Sequence, residues 1–190
     1  MLDLLDCNGK KDIKSMTLEE VTAQMAALGE KSFRAKQLYD WMHVKLAEGF
    51  DDMSSLSIPL RQKLKENYSL TSLKMVDERV SQVDGTRKYL FGLEDGHVIE
   101  SVWMQYHHGN SVCISSQVGC RMGCAFCAST IAGKVRDLTP AEMLDQVLFT
   151  QLDSGAEISN IVLMGIGEPM DNLDTVLRFL ELVNHPDGMN

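Results

Sequence analysis

The chain has 190 residues, 44% of them hydrophobic, with a formal net charge of −9 and five cysteines. That is enough apolar material for one good core, or a core with a small accessory domain, and it excludes a disordered chain. No stretch approaches the ~20 apolar residues that cross a bilayer. The amino terminus, "MLDLLDCNGKKD", is acidic early and has no apolar run, so it does not read as a signal peptide, and a cytoplasmic location is expected. There thiols stay reduced, and grouped cysteines point to metal or redox chemistry rather than disulfides.

The charge is unevenly spread. Residues 1–75 hold 11 Lys and Arg against 11 Asp and Glu, so the whole acidic excess lies in residues 76–190. If RNA is a partner, the first segment is the expected contact, through Lys31, Arg34, Lys36, Arg61, Lys63 and Lys65. On charge alone, solvated helix faces explain these residues better.

In chain order, "TLEE" at 17–20 is a capping box that opens a helix ending near Gly29. Ser32 is positioned to cap "FRAKQLYDWMHVKL", in which Phe33, Leu38, Trp41 and Met42 can form one apolar stripe. Pro59 suits the first turn of a third helix, "PLRQKLKENY". A small helical domain over residues 1–75 is expected, its aromatics serving as core.

From Val76 the pattern changes. Asp84-Gly85 and Asp95-Gly96 separate segments rich in Val, Tyr, Leu, Phe and Ile, which predicts a β-meander over 76–105. In its third strand the period of two places Val98, Glu100, Val102 and Met104 on one face. A carboxylate in an apolar row is unusual, although Glu100 can equally face water at a sheet edge.

Residues 106–190 alternate strand and helix. "SVCIS" reads as a strand, "TPAEMLDQVLFTQL" as a helix capped by Thr139 with Pro140 and Glu142, "SNIVLMG" as a buried strand and "NLDTVLRFLELV" as a second helix. Such alternation predicts βαβ units on a parallel sheet. Ligands then sit at the loops leaving the carboxyl ends of the strands. Two motifs fall on those loops: "VGCRMGCAFCAST" at 118–130 and "GIGEPMDN" at 165–172.

The first motif places Cys120, Cys124 and Cys127 on one loop as CxxxCxxC. Structural zinc wants a closed set of four ligands. The only candidates for a fourth are Cys113, which the strand draws away, and His107 or His108 beyond it. Three thiolates suit a 4Fe–4S cluster with one iron left open. Gly119 and Gly123 allow a tight fold around it, and Phe126 can shield one side. The cluster is favoured over zinc. Glu168 has a plainer alternative as a charge at a helix amino terminus.

CxxxCxφC with an aromatic at φ, followed by a GGEP-type segment with Ile166 in place of a glycine, resembles the radical S-adenosylmethionine superfamily. The segments "IESVWM", "VCISSQVGCRMGCAFCAST", "LTPAEMLDQV", "NIVLMGIGEPMDN" and "HPDGMN" resemble more closely the RlmN family of adenine-C2 RNA methyltransferases. "KSFRAKQLYDWMH" and "MSSLSIPLRQKL" are similar to that family's helical RNA-binding domain.

The resemblance covers essentially the whole chain, with 98–172 its specific part. It implies an α/β fold: part of a (β/α) radical S-adenosylmethionine barrel, about two βα units, after the helical domain and the meander. It implies two cofactors, a 4Fe–4S cluster on Cys120, Cys124 and Cys127, and S-adenosylmethionine beside Gly167, Glu168 and Phe126. The implied substrates are an adenosine of the peptidyl-transferase centre in 23S rRNA and one in the tRNA anticodon loop. An electron donor such as flavodoxin or ferredoxin is implied as a further partner.

In the implied mechanism one S-adenosylmethionine methylates a carrier cysteine, and a second yields a radical that activates that methyl group. The carbon radical adds to adenine C2, Glu100 takes the C2 proton, and Cys113 resolves the crosslink through a transient disulfide. Desolvation in an apolar row gives Glu100 a reason to act as a base. A relative that methylates C8 of the same adenosine, and a non-catalytic iron–sulfur or RNA-binding protein, are the alternatives. The family's carrier cysteine lies beyond Asn190, and Cys7 has no motif around it and is expected to be structural. The 190 residues are therefore expected to be inactive alone, with an unpaired apolar edge on the last strand that favours association.

Overall fold

The computed structural model describes residues 4–5 and 9–188. Cys7, with Met189 and Asn190 of "HPDGMN", lies outside the described residues. The fold is α/β, and it forms two compact units: residues 1–72 together with 177–190, and residues 73–176.

The first unit is built on α1 (Leu18–Ala27), α2 (Phe33–His43) and α3 (Ile58–Asn67), with two short parallel strands, β1 (Lys11–Asp12) and β2 (Tyr68–Ser69). The Thr17 hydroxyl accepts the Glu20 amide and the Glu20 carboxylate accepts the Thr17 amide, the reciprocal capping box that "TLEE" predicts. Ser32 does not cap: it is already helical and its side chain makes no capping bond. The predicted stripe is half right. Leu38 and Met42 are buried with Tyr39, whereas Phe33 is exposed under the Arg34 guanidinium and Trp41 is only partly buried. Tyr39, Phe50 and Tyr68 are core residues. Phe33, the one aromatic that departs from that expectation, sits where a first helical turn faces water.

Two buried titratable groups give this unit opposed responses to pH. The Asp12 carboxylate accepts from the Ser15 hydroxyl at 2.7 Å and from the Thr71 amide at 3.3 Å, yet burial pushes its pKa up to about 6. His43 lies 4.1 Å from the Tyr39 ring, and burial first, then Lys14 and His185, push its pKa down to about 3. Unfolding releases His43 to its ordinary 6.5, so its burial costs stability as pH falls from about 6.5 to about 3. Asp12 works the other way, adding stability as pH falls from about 6 to 3.8. The His43→Leu variant therefore keeps only the second response. Between pH 7 and pH 4 it is expected to gain on the wild type by about 3 kcal/mol. Urea unfolding at both pH values checks this, and parallel pH profiles of the two proteins would contradict it.

The second unit is a five-stranded sheet in the order β3-β4-β5-β6-β9: β3 (Lys74–Val80), β4 (Arg87–Gly92), β5 (Val98–Tyr106), β6 (Gly109–Cys113) and β9 (Asn160–Val162). The first four strands form an antiparallel meander, and β9 joins β6 in parallel. The turns fall at the two Asp-Gly pairs, where the Asp84 and Asp95 carboxylates accept the amides of Thr86 and His97. The meander and the strand that leads to the cysteines are one continuous sheet, since β5 is hydrogen-bonded to β6 from Val102–Cys113 to Tyr106–Gly109.

Helix α4 (Pro140–Ser154) connects towards β9 and carries the predicted Thr139–Glu142 capping box with Pro140 in its first turn. It covers one face of the sheet. Gln146 accepts the Ser101 hydroxyl, Phe149 packs near Phe91, and Asp153 binds Arg87 and the Tyr89 hydroxyl. Helix α5 (Leu173–Val183) follows β9, completing the alternation read from the sequence. The expectation of a buried strand at "SNIVLMG" needs correction. β9 has three residues, with Asn160 exposed and Ile161 and Val162 half-buried, because it ends the sheet and has a hydrogen-bonded neighbour on one side.

Candidate active site

β6 and β9 run parallel, so their carboxyl-terminal loops leave the same end of the sheet. The chain does not pass directly from β6 into the cysteines. It first forms β7 (Gln117–Gly119), which pairs antiparallel with β8 (Lys134–Asp137), and residues 120–133 are the tip loop of that ribbon. The glycine at the neck has a structural reason. Gly119 has φ +71°, and a Cβ there would fall 2.0 Å from the carbonyl oxygen of Gly133.

Within the loop Cys120 is buried, Cys127 half-buried and Cys124 exposed, and the Cys127 amide donates to the Cys124 carbonyl at 3.0 Å. Phe126 is 94% exposed and shields nothing within the chain itself. Among the described residues no three His, Cys, Asp or Glu side chains are gathered closely enough to hold a metal ion. The donor set nevertheless suits a 4Fe–4S cluster: three soft thiolates within eight residues. The loop has to draw Cys124 and Cys127 in towards Cys120 to use them together.

The second loop is tied to the root of the first. Beyond the strand ends, the Gly165 amide donates to the Ile114 carbonyl at 3.0 Å, and the Ser116 and Gln117 amides donate to the Ile166 carbonyl at 2.9 and 3.2 Å. The Ser115 hydroxyl donates to the Glu100 carbonyl and accepts the Ile166 amide. Gly167 rests against Gln117, where a Cβ would lie 2.6 Å from the Gln117 Cβ. The Gln117 side-chain carbonyl accepts the Glu168 amide at 3.0 Å. The Glu168 carboxylate accepts the Met170 amide at 3.1 Å and caps the 3-10 turn Pro169–Asn172, the plainer role foreseen for it.

Asp171, in that turn, faces Arg121, Lys134 and Gln117, and these hold its carboxyl well below the usual carboxylate range. Sequence reading missed Gln117 and Asp171. The available signal was the polar run Ser115-Ser116-Gln117 directly after a strand: all three are buried, which requires partners.

Glu100 and Cys113 share the face of the sheet opposite α4. Cys113 is in register with Val102, two residues from Glu100, so the two lie diagonally about 7 Å apart. The row Val98, Glu100, Val102 and Met104 is not the strand's buried face, which is Ile99, Ser101 and Trp103. Glu100 is 41% exposed and pairs with Lys88 at 2.7 Å. Desolvation by an apolar row therefore gives no rationale for it as a base. Cys113 is a free thiol, pushed up in pKa by burial, an effect partly offset by the Met164 amide.

A family profile described as "Ribosomal RNA large subunit methyltransferase N-terminal domain" matches residues 11–70. The chain is 60% identical to a protein of Lachnospira eligens named "Probable dual-specificity RNA methyltransferase RlmN", across 94% of this chain and 51% of that protein. It is 55% identical to the protein of the same name from Lachnoclostridium phytofermentans, across 95% of this chain and 51% of that one. Among solved structures it resembles a radical SAM methyltransferase from Sphaerobacter thermophilus. The TM-score is 0.85 at 39% identity, over 94% of this chain and 53% of the other. The chain thus spans about half the length of the curated relatives it matches.

Proposed function

We propose, because the chain belongs to the RlmN family, that it forms part of a radical S-adenosylmethionine methyltransferase acting on C2 of an adenosine in 23S rRNA and in tRNA. The observation that carries this is the pairing of the two loops: the cysteine ribbon and the glycine-rich segment meet through Gln117 and the Glu168 amide. In this proposal β6 and β9 are the first strands of a (β/α) barrel. Cys120, Cys124 and Cys127 hold a 4Fe–4S cluster, which when bound supplies the one-electron reduction of S-adenosylmethionine. Gly167 keeps the backbone close, and the free oxygen of Glu168 offers a negative charge to the cofactor's ammonium group.

On the sheet's open face, Glu100 takes the adenine C2 proton, and the Cys113 thiolate attacks the sulfur of the methyl-carrying cysteine, so that a disulfide forms as the carbon–sulfur bond breaks and its electron pair leaves with the product carbon. RNA phosphates dock on the helical unit. There Lys36, Lys63 and Lys65 pair with Asp187, Glu30 and Asp51. Exposed pairs of this kind are worth only ~0–1 kcal/mol, so phosphate can displace them.

The test uses this chain with any sequence that continues it in its gene, purified without oxygen and given unmodified 23S rRNA, reductant and S-adenosylmethionine. 2-Methyladenosine is the expected product. 8-Methyladenosine would move the assignment to C8, and no methylated adenosine would overturn it. In the same assay Glu100→Gln is expected to lower methyl transfer at least ~100-fold while leaving S-adenosylmethionine cleavage within twofold. Undiminished transfer would return Glu100 to the role its pairing with Lys88 already gives it.

A further inference from the structure

One carboxylate joins the two loops. Asp171 Oδ1 accepts from Arg121, which directly follows Cys120 on the outgoing arm of the ribbon. Its Oδ2 accepts from Lys134 Nζ at 3.0 Å, on the returning arm, and from Gln117 Nε2 at 3.1 Å, at the root. Lys134 and Gln117 Nε2 also reach Asp137, each at 2.8 Å. Two cations and two carboxylates are thus balanced around a fully buried amide. The carbonyl end of that amide fixes the Glu168 backbone.

The Asp171 side chain is only 10% exposed. A sheltered carboxylate with three donors is held far more firmly than a surface ion pair. Because the sequence separation is 50 residues for Arg121–Asp171 and 54 for Gln117–Asp171, these contacts join segments that no local hydrogen bonding would join.

We propose that Asp171 and Gln117 are positioning residues that lock the cysteine loop in register with the Glu168 segment, so that ordering either loop orders the other. The lock is a property of the chain itself. Its consequence for ligands rests on the cluster and S-adenosylmethionine assignment above. Binding at one loop then favours binding at the other, and by linkage the effect is reciprocal.

Amide hydrogen exchange on the chain without iron tests the lock directly. Asp171→Asn keeps shape and one carbonyl acceptor while removing the charge. It is expected to speed exchange about tenfold both at 120–133 and at 165–168. Arg121→Gln, on a side chain that is 65% exposed, is expected to act in the same direction at both places. The double variant should be no faster than Asp171→Asn, because the two act through one contact.

In iron-loaded protein, Asp171→Asn should weaken S-adenosylmethionine binding by about tenfold at equal iron content and an equal unfolding midpoint. A general loss of stability would not produce that split. Acceleration confined to one loop, or additive variants, would overturn the lock, and unchanged S-adenosylmethionine affinity would overturn its consequence for ligands. A wild-type chain that takes up no iron would sink the cluster assignment instead, and the exchange comparison would still decide the lock.

Discussion

Cys124→Ala is expected to abolish cluster assembly. Anaerobic reconstitution of the wild-type chain should give about four iron and four sulfide per chain, and the variant close to none. Three thiolates are the fewest that leave a single open iron, so losing any one leaves two irons without protein ligands. Cys124 is the cleanest of the three to remove, because it is exposed and fills no core, whereas Cys120 is buried. Its loss should leave the unfolding midpoint of the iron-free chain unchanged. Stoichiometric zinc without iron in the wild type, or a full cluster in the variant, would contradict the assignment.

Gly119→Ala should be the most damaging single methyl group in the site. The added Cβ would meet the Gly133 carbonyl oxygen at 2.0 Å, and backbone cannot swing aside as a side chain can. Relief requires β7 and β8 to separate at the neck of the cysteine loop. With the positive φ added, the cost is expected to reach about 3 kcal/mol.

Gly123→Ala is the control. Gly123 also has positive φ, +72°, but has open space around it, so the cost should be near 1 kcal/mol. Hydrogen exchange at 117–119 and 134–137, with iron uptake, separates the two. Equal behaviour of both variants would mean that the close approach to Gly133 does not hold the ribbon.

What could be read in the sequence was whatever local chemistry determines. Thr17–Glu20 and Thr139–Glu142 are complete capping boxes within four residues, and both formed. The Asp-Gly turns, the helix–strand alternation and the placing of both motifs at one end of the sheet likewise follow from short-range pattern. What could not be read depends on partners distant in sequence. Ser32 has the right residue type for a cap, but its own backbone is already helical, which takes its hydroxyl out of capping position. The β7–β8 ribbon is held by pairing across the cysteine loop, with no turn signal of its own.

The face of Glu100 could be read as a row but not as buried or open. That depends on which side α4 packs against, and α4 takes Ile99, Ser101 and Trp103. Gln117 and Asp171 are ordinary polar residues until a fold brings them together across 54 positions.

The central claim is that the cysteine loop and the 165–172 segment make one site, in which a cluster on the first presents its open iron to a cofactor held by the second. Electron paramagnetic resonance of the reduced, iron-loaded chain, recorded before and after adding S-adenosylmethionine, tests this most directly. A ligand reaching the open iron must change the cluster's g-values, and the account predicts that change in the wild type and its loss in Glu168→Ala. An iron-replete chain whose spectrum is the same with and without S-adenosylmethionine would contradict it.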